Sequence, residues 1–295
     1  MRKPPPNGSD PEAAITPPTG SASVPAPTPE ALSRSREAFR ATVCQRFGRN
    51  AAHYDSQAHL QQAIAWRLAH LCRDLPLPPG ARADLGAGSG LLSRALVWHH
   101  PQLREMPPLQ VDQCAELLAH NPLTHQGAAT RAEALVWDLH RGLPPPLGQA
   151  SLLASSFALQ WLERPPRQLA FWCQGLGPGG WLVLAVPTAA SFPQWRRAAE
   201  RAAVPCTALA LPDADTLRAT ALREGLRERL CQTLHFSRPH QGGLEALRHL
   251  QRLGASASRH RPLSAGELRR LLRQWPSDSP LTWQVLLLVA QRPGP

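Results

Sequence analysis

Lysine is almost missing from this chain: Lys3 stands alone among 295 residues, and tyrosine is equally scarce, with Tyr54 its single instance. The formal net charge is nevertheless +11, so arginine carries nearly all of it. The first 34 residues add nothing to that excess, because Arg2, Lys3 and Arg34 balance Asp10, Glu12 and Glu30. A basic folded part suits an acidic carrier protein, a carboxylate substrate or RNA. The arginines show no interleaved aromatic pattern and no RNA-binding module surrounds them, which makes nucleic acid the lesser reading. No run of about 20 uninterrupted apolar residues is present to span a membrane, and no apolar stretch behind Arg2 and Lys3 makes a signal peptide. The chain therefore reads as cytoplasmic, without a membrane partner. Its six cysteines, Cys44, Cys72, Cys114, Cys173, Cys206 and Cys231, form no CxxC pair, and HExxH is absent. No metal site is expected, and the thiols read as small buried residues in a reducing compartment.

What is present divides the chain in two. Residues 1–34 are rich in Pro, Ser, Thr and Ala and nearly devoid of large apolar side chains, the composition of a disordered tail. Residues 35–295 read as one α/β domain. From Arg36 to about Arg73 apolar residues recur at helical spacing, Phe39, Val43 and Phe47 first, then Leu60, Ile64, Leu68 and Leu71. "ARADLG" reads as a strand, followed by glycines and the helix "LLSRALVWHH". Further strands are expected at 109–112, 133–138, 150–157, 180–187 and in the closing "LTWQVLLLVAQR", with "GPGG" stopping a helix before the fourth of these. Residues 191 to about 275 read as a largely helical insertion. Strands alternating with helices imply a mostly parallel, doubly wound sheet with helices on both faces.

The stretch "ADLGAGSGLL", residues 83–92, carries the chemistry. A dinucleotide loop needs GxGxxG, but position 91 is leucine; a phosphate loop needs Gly-Lys-Ser/Thr, which does not follow. The spacing is GxGxG, with Gly86, Gly88 and Gly90 letting the backbone turn sharply and approach a ligand. Asp84 leads the loop. A carboxylate would repel a pyrophosphate and attract the ammonium of an amino acid. Asp112 ends the next strand, placed to accept from both ribose hydroxyls, and Trp137 with Asp138 ends the one after, an indole and a carboxylate suited to adenine and its amine. Ammonium, ribose and adenine together describe S-adenosylmethionine.

On these residues the chain resembles the class I S-adenosylmethionine-dependent methyltransferases, whose fold is Rossmann-like with a seven-stranded sheet. The segments "FGRNAAHYD", "SSFALQWLERP", "GLGPGG", "GLEALRHLQRLGASASRHRPLSAGELRRL" and "SPLTWQVLLLVAQR" are similar, within that group, to malonyl-acyl carrier protein O-methyltransferases of biotin synthesis. The resemblance implies methylation of the free malonyl carboxyl on acyl carrier protein, with residues 191–275 as a helical lid. It implies that Tyr54 covers the methionine end of the cofactor and that Ser156 and Trp161 sit where substrate-facing residues lie, although some relatives carry asparagine where Ser156 stands. A malonyl carboxylate is already ionised at neutral pH, so no general base is needed. An arginine fork is the expected carboxylate partner. Arg196 is the chosen candidate, with Arg197, Arg201, Arg248, Arg252, Arg259 and Arg261 as others. Competing readings are a methyltransferase acting on a quinone or another carboxylic acid, a protein that binds the cofactor without turnover, and an RNA methyltransferase.

Overall fold

Three features of the sequence build the sheet: short apolar runs, glycines or acids at their ends, and helices of about ten residues between them. The computed structural model describes residue 1 and residues 28–125, 127, 131–278 and 280–294. The elements are α1 (Pro29–Arg49), α2 (Tyr54–Gln57), α3 (His59–Leu71), β1 (Arg82–Leu85), α4 (Leu91–His99), α5 (Pro101–Glu105), β2 (Leu109–Asp112), α6 (Ala115–Ala119), β3 (Ala134–Val136), β4 (Ala150–Ser156), α7 (Pro165–Gln174), β5 (Leu176–Pro187), α8 (Pro193–Arg201), α9 (Ala214–Arg223), β6 (Arg227–Arg238), α10 (Gly243–Arg252), α11 (Ala265–Gln274) and β7 (Leu281–Gln291). The seven strands form one sheet in the order β3-β2-β1-β4-β5-β7-β6, parallel from β3 to β5, with β7 antiparallel to both neighbours.

Alternation along the long strands splits the core into two layers. Val183, Ala185, Val285, Leu287 and Val289 face helices α3, α4, α8, α10 and α11. Leu182, Leu184, Val186, Leu286 and Leu288 face α7 and α9. A period of two on a strand buried on both faces requires apolar residues at every position, which is why "WLVLAV" and "VLLLVA" read as continuous runs. Truncating any one of these leucines to alanine costs about 2–5 kcal/mol.

Three expectations need correction. Residues 29–34, assigned to the tail, form the first turns of α1, opened by Pro29, whose fixed φ suits the first helical position and whose missing N–H costs nothing there. The rest of the expected tail lies outside the described residues through 27. Residues 191–275 are not helical throughout, because β6 occupies twelve of them at the edge of the sheet. In "RERLCQTLHFSR", Leu230, Leu234 and Phe236 pack on one core layer and Cys231 on the other, a two-residue alternation diluted by charge. Lastly, "LGPGG" is the start of β5 and not a turn before it, with an irregular register against β4 between Ala150 and Leu152. Among the described residues no helix is long and apolar enough to cross a membrane.

Candidate active site

The register sets Leu85 beside Val111 and Asp112 beside Val136, so the residues after β1, β2, β3 and β4 gather along one edge of the sheet. The glycine loop turns there. Gly86, Gly88 and Gly90 have φ of 76°, 54° and 81°, left-handed values that suit glycine. Space is as restrictive as angle: a Cβ on Gly86 would lie 2.1 Å from the Cβ of Ala158. The N–H groups of Gly86 and Ala87 both donate to the carbonyl of Val111, pinning the loop to β2.

Each acid is held differently. Asp84 is buried; its Oδ2 accepts from the Ser93 amide (3.2 Å) and hydroxyl (2.7 Å), while Oδ1 has no partner among the described residues. A buried relay orients it, with Asn121 donating to Gln110, Gln110 to Ser93 and Ser93 to Asp84. Burial, opposed by the Ser93 bonds and reinforced by the charge of Asp112, pushes its carboxyl up to about 7. Asp112 accepts from the Gly88 amide at Oδ2 (2.9 Å) and the Cys114 amide at Oδ1 (2.8 Å), and burial still pushes it up to about 6. Asp138 caps a short helix by accepting from the His140 amide and ring and lies 3.5 Å from an Arg40 nitrogen. Trp137 is fixed by donation from Nε1 to the Gly142 carbonyl.

Asp84, Asp112, Trp137 and Asp138 line one cleft of about 870 Å³, together with Gly86, Gly88, Ser156 and Tyr54; Gly90 is not in that lining, and a Cβ on it would meet the Asn121 side chain at 2.3 Å. A second chamber of about 560 Å³ adjoins it, and the two share Phe47, Tyr54, Gln61, Phe157 and Trp161. The roof comes from α1 and α2. Asp55 fastens it by accepting from the Ser89 hydroxyl (2.6 Å) and pairing with Arg94, both on the glycine-loop side. Phe47 meets Tyr54 and Trp161 edge-on at 6.0 and 5.5 Å.

No family model matches the chain. Curated relatives do. Malonyl-[acyl-carrier protein] O-methyltransferase of Alcanivorax borkumensis is 29% identical over 267 residues, covering 86% of this chain and 87% of that protein. The protein of the same name from Magnetococcus marinus is 29% identical over 238 residues, 78% of this chain and 84% of its own length. The biotin biosynthesis bifunctional protein BioCD of Bordetella avium is 32% identical over 242 residues, 79% of this chain, and the chain spans only 48% of that longer protein. Among solved structures, a candidate methyltransferase of Bacillus halodurans superposes with a TM-score of 0.54 at 14% identity, covering 77% of this chain and 98% of its own. YcgJ of Bacillus subtilis gives 0.51 at 13%, with 79% and 100% covered. The two structures share the fold, and the curated relatives share the sequence.

The chain is a class I S-adenosylmethionine-dependent methyltransferase. Its cofactor is S-adenosylmethionine, and the cleft of this methyltransferase fits it on its own evidence. The buried Oδ1 of Asp84, unpaired among the described residues, needs a donor, which a cationic ammonium would supply. Ser156 Oγ, also buried and unpaired among the described residues, offers a second polar contact.

Not every expected residue converges here. Arg196 is placed elsewhere: its guanidinium donates to the carbonyls of Ser191 and Ala189, and it lines neither cavity. Arg197, Arg201, Arg248, Arg252, Arg259 and Arg261 do not line them either; Arg259 stacks on Phe39 at 4.0 Å and Arg261 pairs with Glu267. The expected guanidinium fork is therefore missing from both linings, because these arginines are spent on carbonyls, rings, carboxylates and solvent. Conversely, the scattered cysteines did not foretell that Cys44 and Cys114 line the cleft with Glu116 close by, the three ligand atoms within 4.8 Å of one another. Phe47, Gln61, Phe157 and Gln113 were also missed. Only Phe157, a bulky residue at φ 55°, bears a local mark of function, and that mark is invisible before the fold is known.

Proposed function

We propose that this methyltransferase acts on the free carboxylate of a malonyl group borne by an acyl carrier protein, forming the methyl ester that begins the pimeloyl part of biotin synthesis. The observation that carries this reading is the chamber beside the cofactor cleft. Among the described residues its lining is aromatic, aliphatic and neutral polar, with Tyr54 as the single ionisable side chain. Burial, and then the charges of Asp55 and Asp112, raise that phenol far above its ordinary value, so no group there serves as a base at neutral pH. An acceptor must arrive already nucleophilic. A carboxylate does; a phenol or a reduced quinone ring would need a base to ionise it.

When bound, S-adenosylmethionine supplies a methyl group made electrophilic by its sulfonium. Asp84 would hold the ammonium, Asp112 the ribose hydroxyls, and Trp137 with Asp138 the adenine, while Gly86, Gly88 and Gly90 let the backbone approach and Ser156 adds a polar contact. Tyr54, with Phe47 above it, would exclude water at the junction where the methyl crosses. The acceptor carboxylate would meet neutral groups: Gln61, Gln160, and Ser256, whose Oγ accepts from Arg46 at 2.8 Å and so keeps its own proton free to donate. Neutral donors orient the oxygens without fixing the ground state as tightly as a guanidinium would. Methyl transfer to one of those oxygens would turn the carboxylate into a neutral ester, which Gln61 and Ser256 would hold less strongly than the ion they first met.

Mass spectrometry of malonyl-acyl carrier protein incubated with enzyme and S-adenosylmethionine is the direct test, with acetyl-acyl carrier protein as the control lacking a free carboxyl. One added methyl on the malonyl form alone is the expected result. Transfer to neither, with cofactor binding intact, would move the assignment to another carboxylic acid.

A further inference from the structure

A third cavity, of about 460 Å³, continues from the acceptor chamber, sharing Gln61, Leu253 and Trp283 with it. Gln61 lines all three cavities, is only 6% exposed, and its side-chain amide makes no hydrogen bond among the described residues. The third cavity differs sharply in charge from the chamber it joins. Among the described residues His59, Arg238 and His249 line it, no carboxylate does, and the remaining polar groups are Gln57, Gln61 and Ser237. Glu245 on α10 lies 3.9 Å from His240 and is not part of the lining.

Two further details describe an anion site. The thirteen-residue helix α3 starts at this wall, and its N-cap, Ala58, has no side chain to satisfy the first-turn amides of His59, Leu60 and Gln61. His249 is 7% exposed, with Nε2 3.4 Å from a nitrogen of Arg238. A guanidinium only donates, so Nε2 accepts and the proton sits on Nδ1. That buried N–H has no acceptor among the described residues. Burial, with Arg238, His240, Arg252 and His59 around it, pushes His249 down to about 4, which keeps it neutral.

A carrier protein presents its acyl group on a pantetheine arm joined through a phosphate, so a carrier-bound acceptor is anionic at both ends and amide-rich between. We propose that the third cavity is the port through which that arm enters and that Arg238, His249 and the first turn of α3 hold its phosphate. The inference rests on the carrier-bound reading above. Gln61 sits where the arm would turn from the port into the chamber, its amide free to pair with the arm's amides. Coenzyme A carries the same pantetheine phosphate, so the shared chemistry is the phosphorylated arm.

The test compares three acceptors, malonyl-acyl carrier protein, malonyl-coenzyme A and phosphate-free malonyl-pantetheine, on the full chain and on Arg238→Gln. The wild type should prefer the phosphorylated acceptors in kcat/KM, and R238Q should lose about tenfold of that preference, the worth of one charge-assisted phosphate contact. Arg270→Gln, exposed on α11 and outside all three cavities, should keep it. Preference shared by coenzyme A places recognition in the arm; preference for the carrier protein alone, unaltered in R238Q, overturns the port. A second measurement stands apart from turnover: pantetheine 4′-phosphate should raise Tm of the full chain more than pantetheine does, and R238Q should erase the difference. Equal shifts from both compounds in the wild type overturn the proposal. If no malonyl acceptor is methylated while that difference persists, the malonyl reading has failed and the anion site has not.

Discussion

The two ends of the sheet solve different problems. At the β1–β3 end, strands of three or four residues carry an acid at or within two residues of their last position, and Asp84, Asp112 and Asp138 are each tied to backbone amides or to a buried polar relay. At the β5–β7 end, strands of eleven and twelve residues carry an aromatic chamber in which Phe192 and Trp283 meet at 4.4 Å and Phe192, like Phe157, holds a left-handed backbone. The first end presents carboxylate acceptors held in place by the protein's own donors, the second a shaped wall without competing charge. Binding polar fragments in fixed places needs short strands with abrupt ends. Enclosing an acyl group needs length and surface.

The contrast can be broken most severely at Gly86. Gly86→Ala places a methyl 2.1 Å from Ala158 at φ 76°, and should abolish cofactor binding and lower stability by several kcal/mol, read by calorimetry and denaturant melts. Asp112→Ala should weaken S-adenosylmethionine binding about a hundredfold, since it removes the acceptor for two backbone amides and a charged contact to the ligand; titration calorimetry alongside circular dichroism separates affinity from folding. Unchanged affinity would dismiss the ribose assignment.

A third experiment sharpens the contrast through pH. Asp84 and Asp112 are pushed up to about 7 and about 6 from a usual 3.8, so the ligand-free fold binds protons that the unfolded chain has released. Their contribution to stability is complete below 3.8 and is lost as pH rises toward 7. Cofactor affinity should run the opposite way, because ionised Asp84 attracts the ammonium: about tenfold per pH unit below 7, steeper below 6, level above. Asp84→Asn should flatten the upper part of that profile. The smallest effect is expected across the boundary, where Ser256→Ala should raise the acceptor KM about five-fold by losing one neutral donor, leaving cofactor affinity unmoved.

How much could be read beforehand follows the same division. Asp84, Asp112, Trp137 and Asp138 lie at strand ends within 55 residues of one another, so spacing alone brings them to one edge. The acceptor chamber draws on residues from Phe47 to Trp283, which only the β5–β7–β6 crossover and the helices over it assemble. No short-range pattern encodes that. β6 was missed because an edge strand half open to water has no reason to be uniformly apolar, and its arginines resemble those of the helices beside it. Charge and place in the chain favour Arg196, yet the carbonyls of Ala189 and Ser191 claim it first.

The clasp at Asp55 has a consequence for water. Phe47 and Tyr54 wall both cavities, and Asp55 fastens their segment to Ser89 and Arg94. The cofactor cleft and the chamber beside it therefore share one wall, held by one clasp. Breaking that latch of one carboxylate, one hydroxyl and one guanidinium would open both rooms to bulk water at once, so dryness on the two sides of the junction is a single property of the fold.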